Sequence, residues 1–199
     1  MNRRSHAVAR SLARSGRAQF DAFADWLRWR TYNLVPFNVL RRWHLRRVYH
    51  ARIGTQSYVH SPLRVLGDHR CSSRFEIGDH STINFGCTID LRDSVIVGSN
   101  SMIGHDSKIY TATHDYDSPT FDLKLAPVVI GDNVVVFPNS MLMPGSVVAD
   151  GCVVLPGAVF SGSSTPWTVY GGVPAKSVSQ RVPHDPEYRH RYRVWFAQS

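Results

Sequence analysis

Aliphatic residues return every six positions along most of this chain. Ile53, Val59, Val65, Cys71, Ile77, Ile83 and Ile89 stand six apart without a break, and after a two-residue slip Val97, Ile103 and Ile109 resume the count. The beat starts again at Ile130 and runs through Val136, Leu142, Val148, Val154 and Phe160. The position four after each beat is mostly small: Ser57, Ser81, Cys87, Ser101, Ser107, Thr113, Ser140, Ser146, Cys152 and Ala158. Glycine often follows the beat directly, as at Gly54, Gly78, Gly98, Gly104 and Gly131. A period of six fits neither the 3.6 of a helix nor the 2 of a lone strand, so the chain turns a corner at a fixed interval.

Three corners close a coil of about 18 residues, and stacked coils form a parallel β-helix in which each rung buries its aliphatic corner on its neighbours. Between Ile53 and Thr165 there is room for roughly five to six coils. A β-sandwich also places apolar residues at short intervals, but sandwich spacing drifts and this spacing does not. Pro138, Pro144 and Pro156 each fall two after a beat, where the chain turns and a fixed φ is useful. Phe137, Met143 and Leu155 follow the late beats and make those coils bulkier. The pattern divides the chain into an N-terminal arm over 1–50, a β-helix over 51–170 with a loop at 112–129, and a C-terminal turn and tail over 171–199.

Charge sharpens this division. The net charge is +8, yet residues 1–52 hold twelve Arg against Asp21 and Asp25 and so carry +10, leaving −2 for the rest. A nearly neutral β-helix excludes a nucleic-acid surface there, and the arm has no readable nucleic-acid motif. Its apolar residues form a helical stripe of Phe20, Phe23, Trp26 and Leu27, followed by Leu34, Phe37, Leu40, Trp43, Leu45 and Val48. A basic amphipathic segment of this kind either packs on its own protein or lies on an anionic membrane. Residues 1–20 have no acidic residue and resemble a transit peptide in composition, though a disordered tail is the expectation. No stretch reaches the roughly 18 apolar residues of a membrane span, so the expected location is cytoplasmic, with the arm as the route to peripheral contact at the inner membrane face. Three cysteines give neither a disulfide framework nor a metal spacing. Cys71 falls on a beat and Cys87 and Cys152 on small positions, which packing explains.

The period fails between Ile109 and Ile130, and excursions from a regular scaffold carry function more often than its rungs do. This one opens with His114, a side chain that ionises near neutral pH and suits general-base work. Thr111-Ala-Thr-His-Asp, the six-residue repeat and the closing Gly171-Gly-Val-Pro-Ala-Lys together resemble the hexapeptide-repeat acyltransferases, which include maltose and galactoside O-acetyltransferases. The run His114-Asp-Tyr-Asp-Ser-Pro-Thr-Phe-Asp-Leu, leading into Pro127-Val-Val-Ile-Gly-Asp, is similar to the branch typified by colanic-acid biosynthesis acetyltransferases. The resemblance covers roughly residues 45 to 180.

It implies an all-β fold, a left-handed parallel β-helix of hexapeptide repeats with a helical N-terminal arm and a short C-terminal tail. It also implies a homotrimer whose active sites lie between subunits, acetyl-CoA as co-substrate, no metal, and His114 as the base in direct transfer to an acceptor hydroxyl. Lys176 is implied beside the CoA nucleotide, with Gly172 and Val173 shaping the adjoining turn and Ser161 and Ala158 on the late coils of that side. Two departures stand out. Ser161 and Gly162 occupy the place of a Thr-Lys pair, and Gly86, beside Asn84, occupies that of an acceptor-binding asparagine. Asn84, Asp90, Asp115 and Asp117 are the acceptor-side candidates, and the three aspartates serve equally well as turn caps. Phe121 is suited either to plugging a subunit interface or to stacking on a sugar ring.

The expected activity is acetyl transfer to a sugar in polysaccharide or lipid-linked glycan biosynthesis. An N-acetyltransferase acting on a nucleotide-linked amino sugar is the alternative. A zinc hydratase with this fold needs three ligands, and His80, His105 and His114 lack the five-residue spacing of that pattern. An inert scaffold leaves His114 and Lys176 without a reason for their places.

Overall fold

The computed structural model describes residues 19, 23–24, 26–27, 29–67, 75–184 and 189. The expectations for residues 1–18, for Phe20 and for the end of the tail lie outside these residues. The period builds the fold the sequence predicts. Ile53 pairs with Ile77, Ile77 with Val97, Val97 with Ile130 and Ile130 with Val148 in one five-stranded parallel sheet. Val59, Ile83, Ile103, Val136 and Val154 line up in a second sheet, and Val65, Ile89, Ile109, Leu142 and Phe160 in a third. The beat residues form the core, and among the described ones all but the half-buried Val65 are buried. This is an all-β parallel β-helix, consistent with the left-handed coil that the resemblance implies.

The small positions have a reason beyond size. Ser57, Ser81 and Ser101 are fully buried and donate to the carbonyls of Gly78, Gly98 and Gly131 on the next coil. Satisfied hydroxyls of this kind avoid the cost of a buried, unpaired polar group. Cys87 and Cys152 are buried free thiols in the same slots, bonded to the carbonyls of Gly104 and Thr165. Burial pushes the Cys87 thiol up to about 12, far from a reactive thiolate.

Two sequence readings need correction. The unbroken run through Cys71 suggests regular coils, yet Ile53 pairs with Ile77, so the first coil is one hexad longer than three. Cys71 itself lies outside the described residues. Thr113 is exposed, and Thr111 is the buried residue at that turn, because the chain leaves the coil after Ile109. The excursion is an ordered antiparallel hairpin, Ala112–His114 against Leu123–Leu125, and the coil resumes at Val128–Ile130. Beyond the last parallel strand, Thr168–Gly171, the strand Lys176–Gln180 turns back antiparallel and extends the second sheet.

The arm docks through only part of the stripe that the sequence marks, Leu45 being buried and Val48 half-buried. Residues 29–34 are helical, and after Pro36 a helix spans Asn38–Val48. Tyr32 and Leu45 are buried, whereas Leu34, Phe37, Leu40 and Trp43 are exposed. The contact is largely polar for a physical reason. The first coil pairs with the second through alternate groups, Gly54 N–H giving to Ile77 and the Thr55 carbonyl accepting from His80, which leaves the carbonyls of the residues between, Ile53, Ser57 and Val59 among them, without a strand beneath them. Side-chain donors fill that edge: Arg42 on Gly54, Arg46 on Ile53, Arg41 on Val59 and Asn38 on Ser57. Asn33 and Asn38 also accept the N–H groups of Leu63 and Val59, so each imitates a strand residue. An exposed sheet edge invites pairing with other chains, and the arm closes it.

Candidate active site

The hairpin leaves the β-helix at the corner between the Ile109 sheet and the Ile130 sheet. The same corner carries the Pro144–Gly145 turn on the next coil, where Gly145 lies against Ala126 at the hairpin's exit. Ser161 and Gly162 follow one coil further, and the neighbouring Ser163 bridges to Val147. One edge of the molecule therefore carries His114, Ser161 and Gly162 in a column.

Asp90 holds the hairpin root. Its carboxylate is fully buried and receives the Arg92 guanidinium, Nε to Oδ1 at 2.9 Å and Nη2 to Oδ2 at 2.8 Å, and the Thr111 N–H at 3.2 Å. Thr111 Oγ1 donates to the Asp90 carbonyl and accepts from the Asp93 N–H. Burial opposes ionisation of Asp90, but the bonds from Arg92 and Thr111 outweigh it and hold the carboxyl below the usual carboxylate range. Asp90 is thus an anchor with its oxygens engaged.

Along the hairpin, side chains alternate between faces. Ala112 and His114 pair directly with Leu125 and Leu123 and share one face with them. Leu123, Leu125 and Phe121 are exposed there. The other face is polar: Lys124 Nζ meets Asp115 Oδ2 at 2.8 Å, and Ser118 and Thr120 both donate to Asp122. The Lys124 bond, then the Asp117 N–H, lowers the Asp115 pKa. Asp115 is therefore committed within the hairpin, while Asp117 stands exposed near its tip.

Imidazole geometry at His114 is specific. Nδ1 donates to the Phe121 carbonyl at 2.9 Å, and the two rings stack with centroids 4.5 Å apart and planes 6° from parallel. Phe121 reaches this position in a left-handed backbone conformation, φ 51°, unusual for an aromatic residue and a form of strain found at functional sites. A proton fixed on Nδ1 leaves the Nε2 lone pair as the acceptor, which is the tautomer a general base requires. Pairing with Phe121 is a feature that sequence reasoning missed. No local pattern signals a positive φ at a phenylalanine.

The remaining candidates are dispersed. Lys176 is exposed and pairs with Gly171 at the foot of the closing turn. That turn is pinned to the third sheet, with the Val159 N–H donating to the Gly172 carbonyl and the Ala175 N–H to the Val159 carbonyl. Gly172 and Val173 are exposed, as are Ser161 and Gly162, but Ala158 is sealed in the core and contributes packing alone. Asn84 sits at a different corner and donates to the Ile103 carbonyl. His80, His105 and His114 occupy three different corners of one chain, and His105 stacks on Phe85. Among the described residues no group of three or more His, Cys, Asp or Glu is placed to hold a metal ion.

Residues 127–162 match the family model described as bacterial transferase hexapeptide (six repeats). No curated protein matches the chain. Among solved structures, a hexapeptide-repeat-containing acetyltransferase from Vibrio cholerae, complexed with acetyl coenzyme A, is 23% identical, with 80% of this chain and 86% of that one covered and a TM-score of 0.70. A maltose O-acetyltransferase from Clostridium difficile is 24% identical over 82% of this chain and 87% of its own, with a TM-score of 0.72. A galactoside acetyltransferase in complex with coenzyme A is 18% identical over 84% and 86%, with a TM-score of 0.66. At these identities the likeness carries the fold, and the family match carries the hexapeptide repeat of residues 127–162.

Proposed function

We propose that the chain is an acetyl-CoA-dependent O-acetyltransferase, acting on a sugar hydroxyl of a polysaccharide or a lipid-linked glycan, and that His114 is its general base. The observation that supports this reading is the Nδ1 bond to the Phe121 carbonyl, which in the neutral ring keeps the proton on Nδ1 and makes Nε2 the acceptor. Solved structures of the same fold include acetyltransferases with coenzyme A or acetyl coenzyme A bound, which supports CoA as co-substrate.

The chemistry is direct transfer. His114 Nε2 takes the proton of the acceptor hydroxyl as its oxygen attacks the thioester carbonyl. The tetrahedral intermediate collapses, the carbon–sulfur bond breaks, and the CoA thiolate takes up a proton as the ester forms. A base of this kind typically contributes 10²- to 10⁴-fold. Lys176, exposed at the closing turn, is assigned to the phosphates of the nucleotide, where a compact ammonium suits a phosphate oxygen. Asp117 is the acceptor-side candidate with an exposed carboxylate.

The active unit is assigned as a homotrimer. The hairpin face around His114 exposes Phe121, Leu123 and Leu125, and a neighbouring chain laid against them would remove that apolar area and the surrounding water together.

The test is His114→Ala. This exposed side chain leaves the core untouched, so the variant should keep its melting temperature and CoA affinity while thiol release with a sugar acceptor falls by at least about a hundredfold. Near-normal turnover removes His114 from the role. Lability of the product to mild base separates an O-ester from the amide an N-acetyltransferase would form.

A further inference from the structure

The arm has a second surface that its docking leaves unused. Its inward side closes the first coil through Tyr32, Leu45 and the arginine and asparagine bonds described above. Its outward side carries Trp26, Leu27, Leu34, Phe37, Leu40 and Trp43, between 46% and 72% exposed. On the Asn38–Val48 helix, Leu40, Trp43 and Arg47 lie three and four residues apart and share one face. No acidic residue occurs from Arg30 to Arg52, and residues 1–52 carry twelve Arg against two Asp.

We infer that this outward face binds the surface of an anionic lipid bilayer. Charge decides between occupants. The hairpin carries Lys124 and Asp115 together on the face opposite its apolar one, so it holds both signs of charge, and its apolar face is assigned above to a second copy of the chain. From Leu34 to Trp43 the arm face has arginines and no acidic residue beside it in sequence, so two such faces brought together would stack like charges. An anionic bilayer supplies the opposite charge, an apolar layer for leucine and phenylalanine, and an interfacial zone that suits tryptophan. No helix among the described residues is long and apolar enough to cross a membrane, so the contact lies in the plane of the interface. This places the β-helix axis at a fixed end toward the lipid, since the arm covers its first coil.

The experiment sediments the full chain with phosphatidylcholine vesicles, alone or mixed with phosphatidylglycerol, and reads bound fraction, independently of any acyl transfer. Binding to the mixed vesicles, weak binding to the neutral ones, and loss of binding at high salt are expected. The double variant Leu40→Glu, Trp43→Glu should lower the partition coefficient by at least about tenfold. Quenching of tryptophan fluorescence by brominated phosphatidylglycerol in the unaltered chain gives a readout that needs no variant to fold. Absence of binding to the mixed vesicles overturns the proposal. So does a folded double variant that binds equally well, or one that binds equally well and loses oligomer mass, which would assign the face to a second copy.

Discussion

At the residue scale, the glycine after the beat is set by how closely coils approach. A Cβ added at Gly98 would lie 2.4 Å from Asp132 Oδ1 and 2.5 Å from the Gly131 backbone. Asp132 cannot yield freely, because Oδ1 accepts the Ser99 N–H at 2.6 Å. Replacing Gly98 by Ala thus forces backbone apart or breaks that bond. The expected loss is about 2 to 3 kcal/mol of stability, from strain in a close-packed stack plus one lost bond, visible as a lower urea midpoint with an unchanged slope. A midpoint equal to that of the unaltered protein would show that the corner is looser than these distances imply. Glycine after several of the beats was legible in sequence as a pattern, whereas its cause is a contact between coils that only the stack creates.

The hairpin and the arm show where single elements outrun sequence. Its existence was legible as a break in period, and His114 as its first chemical residue. Its shape was not, because antiparallel pairing of 112–114 with 123–125 depends on the long-range anchor at Asp90. By position Asp90 reads equally as a sugar ligand or a turn cap, and its buried carboxylate is bonded to Arg92 and Thr111. Its folded pKa is depressed, so the stability it contributes is present above the ordinary carboxylate range and is lost as pH falls through the lower, folded value. Asp90→Asn removes the charge that Arg92 meets, and near neutral pH it should cost about 1 to 3 kcal/mol. That difference should narrow as pH falls below about 4, which denaturant titrations at several pH values would show. A constant difference across the acid range would mean that packing, not charge, holds the root. The arm teaches the converse. Its hydrophobic stripe reads as amphipathic in sequence, but docking follows hydrogen-bond demand at a sheet edge, which hydrophobic spacing does not encode.

For the whole molecule, the question is what completes the site around His114. One chain offers an exposed imidazole on an apolar hairpin face, with Lys176 at the end of a separate sheet. Acyl transfer needs water excluded and donors fixed around the thioester, and the described surface near His114 does not enclose such a space by itself. In the proposed trimer, each hairpin laid against the next chain would supply the wall. If the base comes from one chain and the nucleotide-binding cation from its neighbour, His114→Ala and Lys176→Ala chains, each nearly inactive alone, should regain activity when refolded or expressed together. A fraction of interfaces would then combine an intact histidine with an intact lysine. Mixed trimers that stay as inactive as either parent, while native mass spectrometry confirms that subunits have exchanged, would place both groups on the same chain. Leu123→Asp offers the complementary check at the interface: it should shift the sedimentation coefficient toward that of a monomer and abolish transfer, leaving the melting of the β-helix itself nearly unchanged because Leu123 lies outside the core.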